Sequence, residues 1–254
     1  HLLGSEFAGE IESAGAKVTR FAPGDRVFGY VGSQMGAYAQ YLCVPEKGVM
    51  APMPSNLTNE EAATTPYGAV MALGLLRKLN LQPGQRVLIV GAGGGIGLAL
   101  VQLAAKHCGA RVTGVCGPSG VETVASLGAE LVVDYTREDF VDRSEVYDVI
   151  IDVLGKNSFA RGQRVLAPGG RMVYASFKMK QVVQMLWTKV HGSRKVLCVL
   201  TNEKAEDLVF IKGLIEEGKF GPCLDRAFPL AEAAAAHRYA ASPEKRGNIA
   251  ITVA

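Results

Sequence analysis

The sequence has few of the features that mark several protein classes. Its 254 residues include only five cysteines, Cys43, Cys108, Cys116, Cys198 and Cys223, odd in number, far apart and without a CxxC pair. This argues against a disulfide framework or a cysteine-rich zinc lobe, and favours a reduced, cytoplasmic protein. No apolar run reaches the roughly 18 residues that a membrane-crossing helix needs, and no secretory pattern opens the sequence. Lys and Arg number 27 against 24 Asp and Glu, and they are scattered, so neither nucleic acid nor a membrane is an expected partner. The four histidines, His1, His107, His191 and His237, show no ligand spacing and read as surface or helix residues, so no metal site is expected. There is no GxSxG nucleophile setting. The single tryptophan, Trp187, lies in a helical stretch apolar enough to be core or a partner surface, and core is the preferred reading.

Two patterns follow one another along the chain. Up to about Pro54, short strand-like runs alternate with glycine-rich turns: "FAGEIESAG", "DRVFGY" and "AYAQYLCV". In the last run, Tyr38, Gln40, Leu42 and Val44 share one face of the expected strand. From Asn59, with Glu60 and Glu61 near the positive end of the dipole, one helix is expected to run through "YGAVMALGLLRKL". Then "RVLIV", "RVTGV", "ELVVDY", "DVIIDVL", "RMVYAS" and "KVLCVL", apolar almost throughout, alternate with helical stretches. Strands buried on both faces and joined by helices imply a doubly wound parallel sheet. The tail adds the helix "AEDLVFIKGLIEEG" stopped by Gly218, then "LDRAFPL", "AEAAAAHRYAA" and "NIAITV".

The richest signal is "VLIVGAGGGIGLAL", with five glycines between Gly91 and Gly97 where a strand passes into a helix. Glycines let backbone approach a ligand closely, and the helix start offers free N–H groups to an anion. Gly91, Ala92, Gly93, Gly94, Gly95, Ile96 and Gly97 therefore read as a pyrophosphate turn for a dinucleotide. The spacing is not a clean GxGxxG, since Ile96 stands where the last glycine would follow Gly91 and Gly93. Shifted by one, Ala92, Gly94 and Gly97 give AxGxxG. The plain alternative is a tight turn with no ligand. The next strand ends in Cys116, Gly117, Pro118 and Ser119, without the carboxylate that accepts from an NAD ribose. This favours NADP(H) over NAD(H), although no Lys or Arg is in the loop and Ser119 also reads as a turn residue.

With these motifs on the page, the chain resembles the zinc-independent quinone oxidoreductases of the medium-chain dehydrogenase/reductase superfamily. The resemblance rests on "GSEFAGEIESAGAKVTRFAPGDRVFG", "GAYAQYLCVP", "LQPGQRVLIVGAGGGIG", "SLGAELVVDYTREDF", "YDVIIDVLG", "LAPGGRMV" and "PLAEAAAAHRYAASPEKRGNIAITV". It implies an α/β protein in which a Rossmann domain, residues 67–219, joins a GroES-like β domain, residues 1–66 and 220–254, with substrate between the two. The chain opens inside that first domain, so the resemblance implies that an N-terminal segment is lacking: either the sequence is a fragment, or part of the barrel is lost, which would expose strand edges. It also implies hydride transfer from NADPH to a quinone or an α,β-unsaturated carbonyl, a small-molecule substrate and a homodimer.

Carried over by resemblance, Cys116, Gly117 and Ser119 match the loop at the 2′ position. Tyr135 matches an aromatic at the adenosine end, and it reads equally as a strand-end ring covering the core. Val153, Leu154 and Gly155, then Ala175, Ser176 and Phe177, match strand ends beside the nicotinamide ribose. Asn248 and the basic pair Lys245 and Arg246 are expected to approach the cofactor phosphate from the tail, although the pair reads better as solvated surface residues. Zinc-using relatives have His where this chain has Ser5, and Glu6 beside it reads as a solvated or salt-bridged carboxylate. Met71 stands where such enzymes often carry Thr near the nicotinamide. No catalytic residue is assigned.

Three other readings stay open. "YASFK", Tyr174 to Lys178, fits the YxxxK pair of short-chain dehydrogenases, in which Lys lowers the pKa of a proton-donating Tyr, but it follows the strand "GGRMV" instead of lying in a helix and reads as a chance match. A zinc-less alcohol or aldehyde dehydrogenase of the same superfamily is the second. A non-catalytic NADPH-binding structural or sensor protein is the third.

Overall fold

The protein is described here by a computed structural model covering residues 2–253. His1, one of the four histidines read as lacking a ligand pattern, lies outside the described residues. In chain order the elements are β1 (Glu6–Glu10), β2 (Arg26–Tyr30), β3 (Val49–Pro52), α1 (Asn59–Ala63), α2 (Pro66–Leu79), β4 (Arg86–Val90) and α3 (Gly95–Gln102). Then come β5 (Arg111–Cys116), α4 (Val121–Ser126), β6 (Leu131–Asp134), β7 (Tyr147–Asp152), α5 (Phe159–Gly162), β8 (Leu166–Tyr174) and α6 (Met179–Val190). The last are β9 (Lys195–Cys198), α7 (Ala205–Glu216), β10 (Leu224–Pro229), α8 (Ala233–Ala240) and β11 (Asn248–Thr252). The chain divides into two compact units, residues 1–71 with 203–254 and residues 72–202. Helix α7, expected from sequence with the Rossmann portion, groups with the first unit.

The second unit is built on a six-stranded parallel sheet in the order β6-β5-β4-β7-β8-β9. The chain runs outward from β4 to one edge, then returns through β7 to the other, which is the doubly wound order. Central strands β4 and β7 are buried along nearly their whole length, as the apolar runs require. Leu88, Val115, Val133, Ile150, Met172 and Val196 join one core cluster. The helix after β4 does not stay regular: α3 passes into a single π-type turn at Leu103–His107.

The first unit holds an antiparallel sheet, β1-β2-β3, and a parallel pair, β10-β11. Its small core gathers Phe21, Val27 and Met50, with Phe7, Ile11, Val18 and Val44 packed against them.

Three sequence expectations change here. The run "AYAQYLCV" is not a strand. Ala37 and Tyr38 donate to Gly4 and Leu3, and the chain then leaves without a ladder. Alternating side chains make a strand only where a neighbour takes up the backbone groups, and no described strand lies there. The long helix from Asn59 is two helices. Thr58 and Glu61 form a reciprocal cap that starts α1, and Pro66 starts α2. Proline has no N–H to give the preceding turn and pushes the residue before it out of helical conformation. Trp187 is not core: it is 58% exposed. Its helix buries Thr188 and half-buries Met185 on the other side, so the apolar residues next to them face outward.

Candidate functional site

The glycine turn is built by close backbone approach. Gly91 leaves β4 at φ +90°, a conformation that L side chains rarely adopt. The N–H groups of Gly91 and Ala92 donate to Val115 O at 3.0 and 2.9 Å, which ties the turn to β5. A Cβ on Gly97 would meet Gly91 O and lie 2.7 Å from Ala92 Cα. Gly97 thus lets the first turn of α3 press onto the strand. Gly94 caps the helix with no side-chain acceptor, so the first-turn N–H groups of α3 are not satisfied by a cap. Gly93 to Ile96 are accessible, while Ala92 and Gly97 are buried. An accessible, uncapped helix start with no Cβ in the way fits an anionic pyrophosphate.

The other expected residues of this unit gather around that turn. Cys116 ends β5, and a Cβ on Gly93 would lie 3.3 Å from Cys116 Cβ. Burial, helped by Asp134, pushes the Cys116 thiol up to about 11, so it stays protonated. Gly117 lies beneath the ring of the exposed Tyr135, with the phenol oxygen 3.2 Å from where its Cβ would be. Tyr135 is therefore not a cover for the core. Ser119 is half-buried in the short turn Pro118–Gly120. On the β7 side, Leu154 Cγ would be 3.2 Å, and Val153 Cβ 3.5 Å, from a Cβ on Gly91. Gly155, at φ +65°, leaves no room for a Cβ against Ser176 O. Ala175 donates to Asp152 O at 3.2 Å, and Phe177 packs on the core cluster. Seventeen of the eighteen expected cofactor residues thus lie along the carboxyl ends of β4 to β8, where open α/β sheets bind ligands.

The exception is Asn248. It belongs to the first unit, on β11, and its Nδ2 donates to Thr64 O at 3.0 Å. It lines a small cavity of that unit, about 230 Å³, with Tyr38, His237 and Lys245. Lys245 is not a solvated surface amine either. It is half-buried, its Nζ donates to Gly247 O at 2.9 Å, and burial lowers its pKa.

Two carboxylates at strand ends were not read from the sequence. Asp152 is fully buried at the end of β7. Its Oδ1 accepts from Leu154 and Gly155 N–H at 3.1 and 3.0 Å, and its Oδ2 accepts from Asn157 N and Nδ2 at 2.8 and 3.2 Å. One buried carboxyl group, through these four hydrogen bonds, holds the loop after β7 in shape. In sequence it looked like one more strand residue in "DVIIDVL". Asp134 pairs with Cys116 across β5 and β6, so a carboxylate does stand one strand away from the 2′ loop. Its Oδ1 accepts from Thr136 N and Oγ1 at 2.9 and 2.8 Å.

The YxxxK pair does not form a proton-donating site. Tyr174 is fully buried on β8, and its hydroxyl donates to Asn157 O at 2.9 Å. Burial, with Asp152 and Cys198 nearby, drives the phenol pKa upward, the opposite of what a proton donor needs.

In the first unit, Glu6 is partly buried and forms no ion pair with another described residue. Its half-buried Oε1 accepts the N–H of Tyr67 at 2.7 Å. Desolvation lifts the carboxyl to about 7, partly offset by that hydrogen bond. Tyr30 is its register partner on β2, and its ring packs against Tyr67 with centroids 5.1 Å apart and planes tilted by 40°. Desolvation and then the Glu6 charge raise the phenols of Tyr38 and Tyr67. Among the described residues there is no group of three His, Cys, Asp or Glu side chains able to hold a metal ion. All five cysteines are free thiols.

Comparison with known proteins agrees with this geometry. Residues 1–55 match the family model for the alcohol dehydrogenase GroES-like domain, and residues 127–251 match the model for zinc-binding dehydrogenase. Mouse quinone oxidoreductase is 30% identical over 249 residues, 92% of this chain and 74% of that protein. The quinone oxidoreductase-like protein 2 homolog of Nematostella vectensis is 36% identical over 190 residues, 72% of this chain, which spans about half (51%) of that relative's length. The quinone oxidoreductase structure from Coxiella burnetii superimposes with a TM-score of 0.87 at 28% identity, covering 99% of this chain and 79% of that one. The chain belongs to the medium-chain dehydrogenase/reductase superfamily, among its quinone oxidoreductase-like proteins. It has that family's architecture of a Rossmann-type parallel sheet with a GroES-like antiparallel sheet, and the family's oxidoreductases use nicotinamide cofactors.

Proposed function

We propose that the protein is an NADPH-dependent oxidoreductase that delivers hydride to a quinone or an α,β-unsaturated carbonyl without zinc. The observation that carries this reading is the close approach of Gly97 to Gly91 and Ala92, which leaves an uncapped helix start open to a pyrophosphate. The bound nicotinamide supplies the hydride. The chain's own work is positioning. First-turn N–H groups of α3 hold the pyrophosphate. Gly117, Ser119 and the Tyr135 ring receive the adenosine end. The loop Val153–Gly155, fixed by Asp152, and Ala175–Phe177 orient the nicotinamide ribose.

The preference for NADPH is supported by the Cys116–Ser119 loop, which has no carboxylate to repel a 2′-phosphate. Asp134 is the nearest negative charge on the adjoining strand, and its Oδ1 is engaged by Thr136. The zinc-free reading is supported by Ser5 and by the lack of a three-ligand group among the described residues. A homodimer in the cytoplasm is part of the same proposal, supported by the one-sided edge strand β9.

The test is turnover. NADPH oxidation is followed with a panel of quinones and enones, with and without a chelator. Oxidation that survives chelation supports the proposal. Turnover of simple alcohols instead would favour a dehydrogenase, and NADPH binding without any turnover would favour a sensor.

A further inference from the structure

A 2′-phosphate is a strongly charged anion, and the loop expected to receive it, Cys116–Ser119, holds no base. The elements beside that loop carry carboxyl groups. Asp134 ends β6 opposite Cys116, and Glu122 is exposed in the first turn of α4. Lacking a carboxylate within the loop is therefore not enough to favour NADPH; a cation has to join the phosphate there. Between Val112 and Gly155 the sequence has no Lys and only two Arg, Arg137 and Arg143. Arg143 is already committed. It donates to both oxygens of Glu138 at 2.9 Å and to Glu145 at 3.2 Å. Arg161 and Arg164 pair with Asp139 and Asp142. Each carboxylate from Glu138 to Glu145 thus has an arginine partner. Arg137 is left over: it is exposed, and its guanidinium makes no hydrogen bond or ion pair with any described residue.

The backbone places this guanidinium beside the loop. Strands β5 and β6 are parallel neighbours with Cys116 opposite Asp134, so the chain leaves both at the same end. Ser119 lies three residues past one strand end, and Arg137 three past the other. Tyr135 N–H donates to Cys116 O at 3.1 Å, and its ring covers Gly117. The N–H groups of Arg137 and Glu138 then donate to Asp134 O at 3.0 and 3.1 Å, which closes a tight turn and keeps Arg137 at the strand end. Thr136 engages Asp134 Oδ1 through its N–H and hydroxyl, at 2.9 and 2.8 Å. Neighbouring strands are about 4.8 Å apart, less than the length of an extended arginine side chain.

We infer that Arg137 is the cation that binds the 2′-phosphate of NADPH, and so the residue that sets the nucleotide preference of this site. The inference rests on the proposed NADPH reading and names the side chain that carries it. A guanidinium presents paired N–H donors that match phosphate oxygens two at a time, and it stays charged whatever surrounds it. Turning Arg137 to the phosphate breaks no existing bond, whereas Arg143 would first have to leave Glu138 and Glu145. NADH offers only a neutral 2′-hydroxyl at the same place, so Arg137 discriminates between the two nucleotides. Tyr135 stands between Arg137 and the loop and lies beside the adenosine, while the pyrophosphate stays on the glycine turn.

The test is binding, with no turnover needed. The parent, Arg137→Gln and Arg137→Lys are titrated with NADPH and NADH by nicotinamide fluorescence. Adenosine 2′,5′-bisphosphate and adenosine 5′-monophosphate, which lack the nicotinamide, are titrated by calorimetry. The expected parent binds NADPH more tightly than NADH, and salt narrows the gap. Arg137→Gln should raise the Kd for NADPH by about tenfold or more and leave that for NADH within about twofold. The bisphosphate should weaken in the same way and the monophosphate should not. Arg137→Lys, which keeps the charge and loses the fork, should fall between. Unfolding temperature should not change, because the side chain holds nothing else in the fold. An unchanged NADPH affinity in Arg137→Gln overturns the inference and leaves the proposed function standing. Equal weakening of both nucleotides overturns it as well, since that assigns Arg137 to the pyrophosphate or to the fold. A parent that binds NADH as tightly as NADPH overturns it and the NADPH preference together, and one that binds neither overturns the nucleotide site itself.

Discussion

Gly97 sits directly against Gly91 and Ala92: a Cβ at position 97 would meet the Gly91 carbonyl oxygen and come within 2.7 Å of Ala92 Cα. Both neighbours are backbone, so a methyl cannot be accommodated by turning a side chain. Gly97→Ala should push α3 off β4, raise the dissociation constant for NADPH by about tenfold or more, and lower the unfolding temperature by several degrees. Gly213→Ala on α7 serves as the control, since a Cβ there would meet nothing within 4 Å. Fluorescence titration of both variants checks this. Equal affinity in Gly97→Ala and the parent would remove the close approach from the account.

Asp152 makes a second expectation. Four donors converge on its buried carboxylate. Asp152→Asn replaces one acceptor oxygen with an amide that faces N–H groups already aimed at it. The loss should be about 3 kcal/mol of stability, with the loop 153–157 loosened. Urea unfolding measures the first, and proteolysis near Leu154 the second.

Tyr174 separates the two dehydrogenase mechanisms. A proton-donating tyrosine loses orders of magnitude in rate when its hydroxyl is removed. Here the hydroxyl is buried on Asn157 O. Tyr174→Phe should cost about 1 kcal/mol of stability and leave the rate within a few-fold of the parent. A collapse in kcat would restore the YxxxK reading.

Glu6 gives the protein a pH signature. Its carboxyl is raised from an ordinary 4.5 to about 7 in the fold. The folded state therefore prefers the protonated form. This contribution is fully present below about 4.5 and is lost as pH rises through about 7. Glu6→Gln should flatten the stability profile across that window and be more stable than the parent above it, by on the order of 2 kcal/mol. Other carboxylates titrate in both proteins, so the difference between the two profiles isolates Glu6. Parallel profiles would contradict the assignment.

The sequence shows most of the parallel sheet because each strand is an apolar run bounded by turn residues, and burial on both faces leaves no other pattern. The glycine turn is legible for a related reason: five glycines in seven residues make sense only where backbone meets backbone. What stays hidden depends on neighbours. "AYAQYLCV" has the alternation of a strand and no strand beside it. Asp152 and Asp134 act through groups that only the fold brings to them. Trp187 was misread because hydrophobic spacing identifies a helix face but not which face is turned inward. Thr188 and Met185, less apolar than their neighbours, are the residues that anchor α6.

The most direct test of the central claim is a titration of the chain with NADPH and, separately, NADH, following nicotinamide fluorescence in the parent and in Gly97→Ala. The account expects saturable binding of NADPH by the parent, weaker binding of NADH, and a marked loss of both in the variant. Binding of neither nucleotide by the folded parent would contradict it and leave the glycine turn a structural junction between strand and helix.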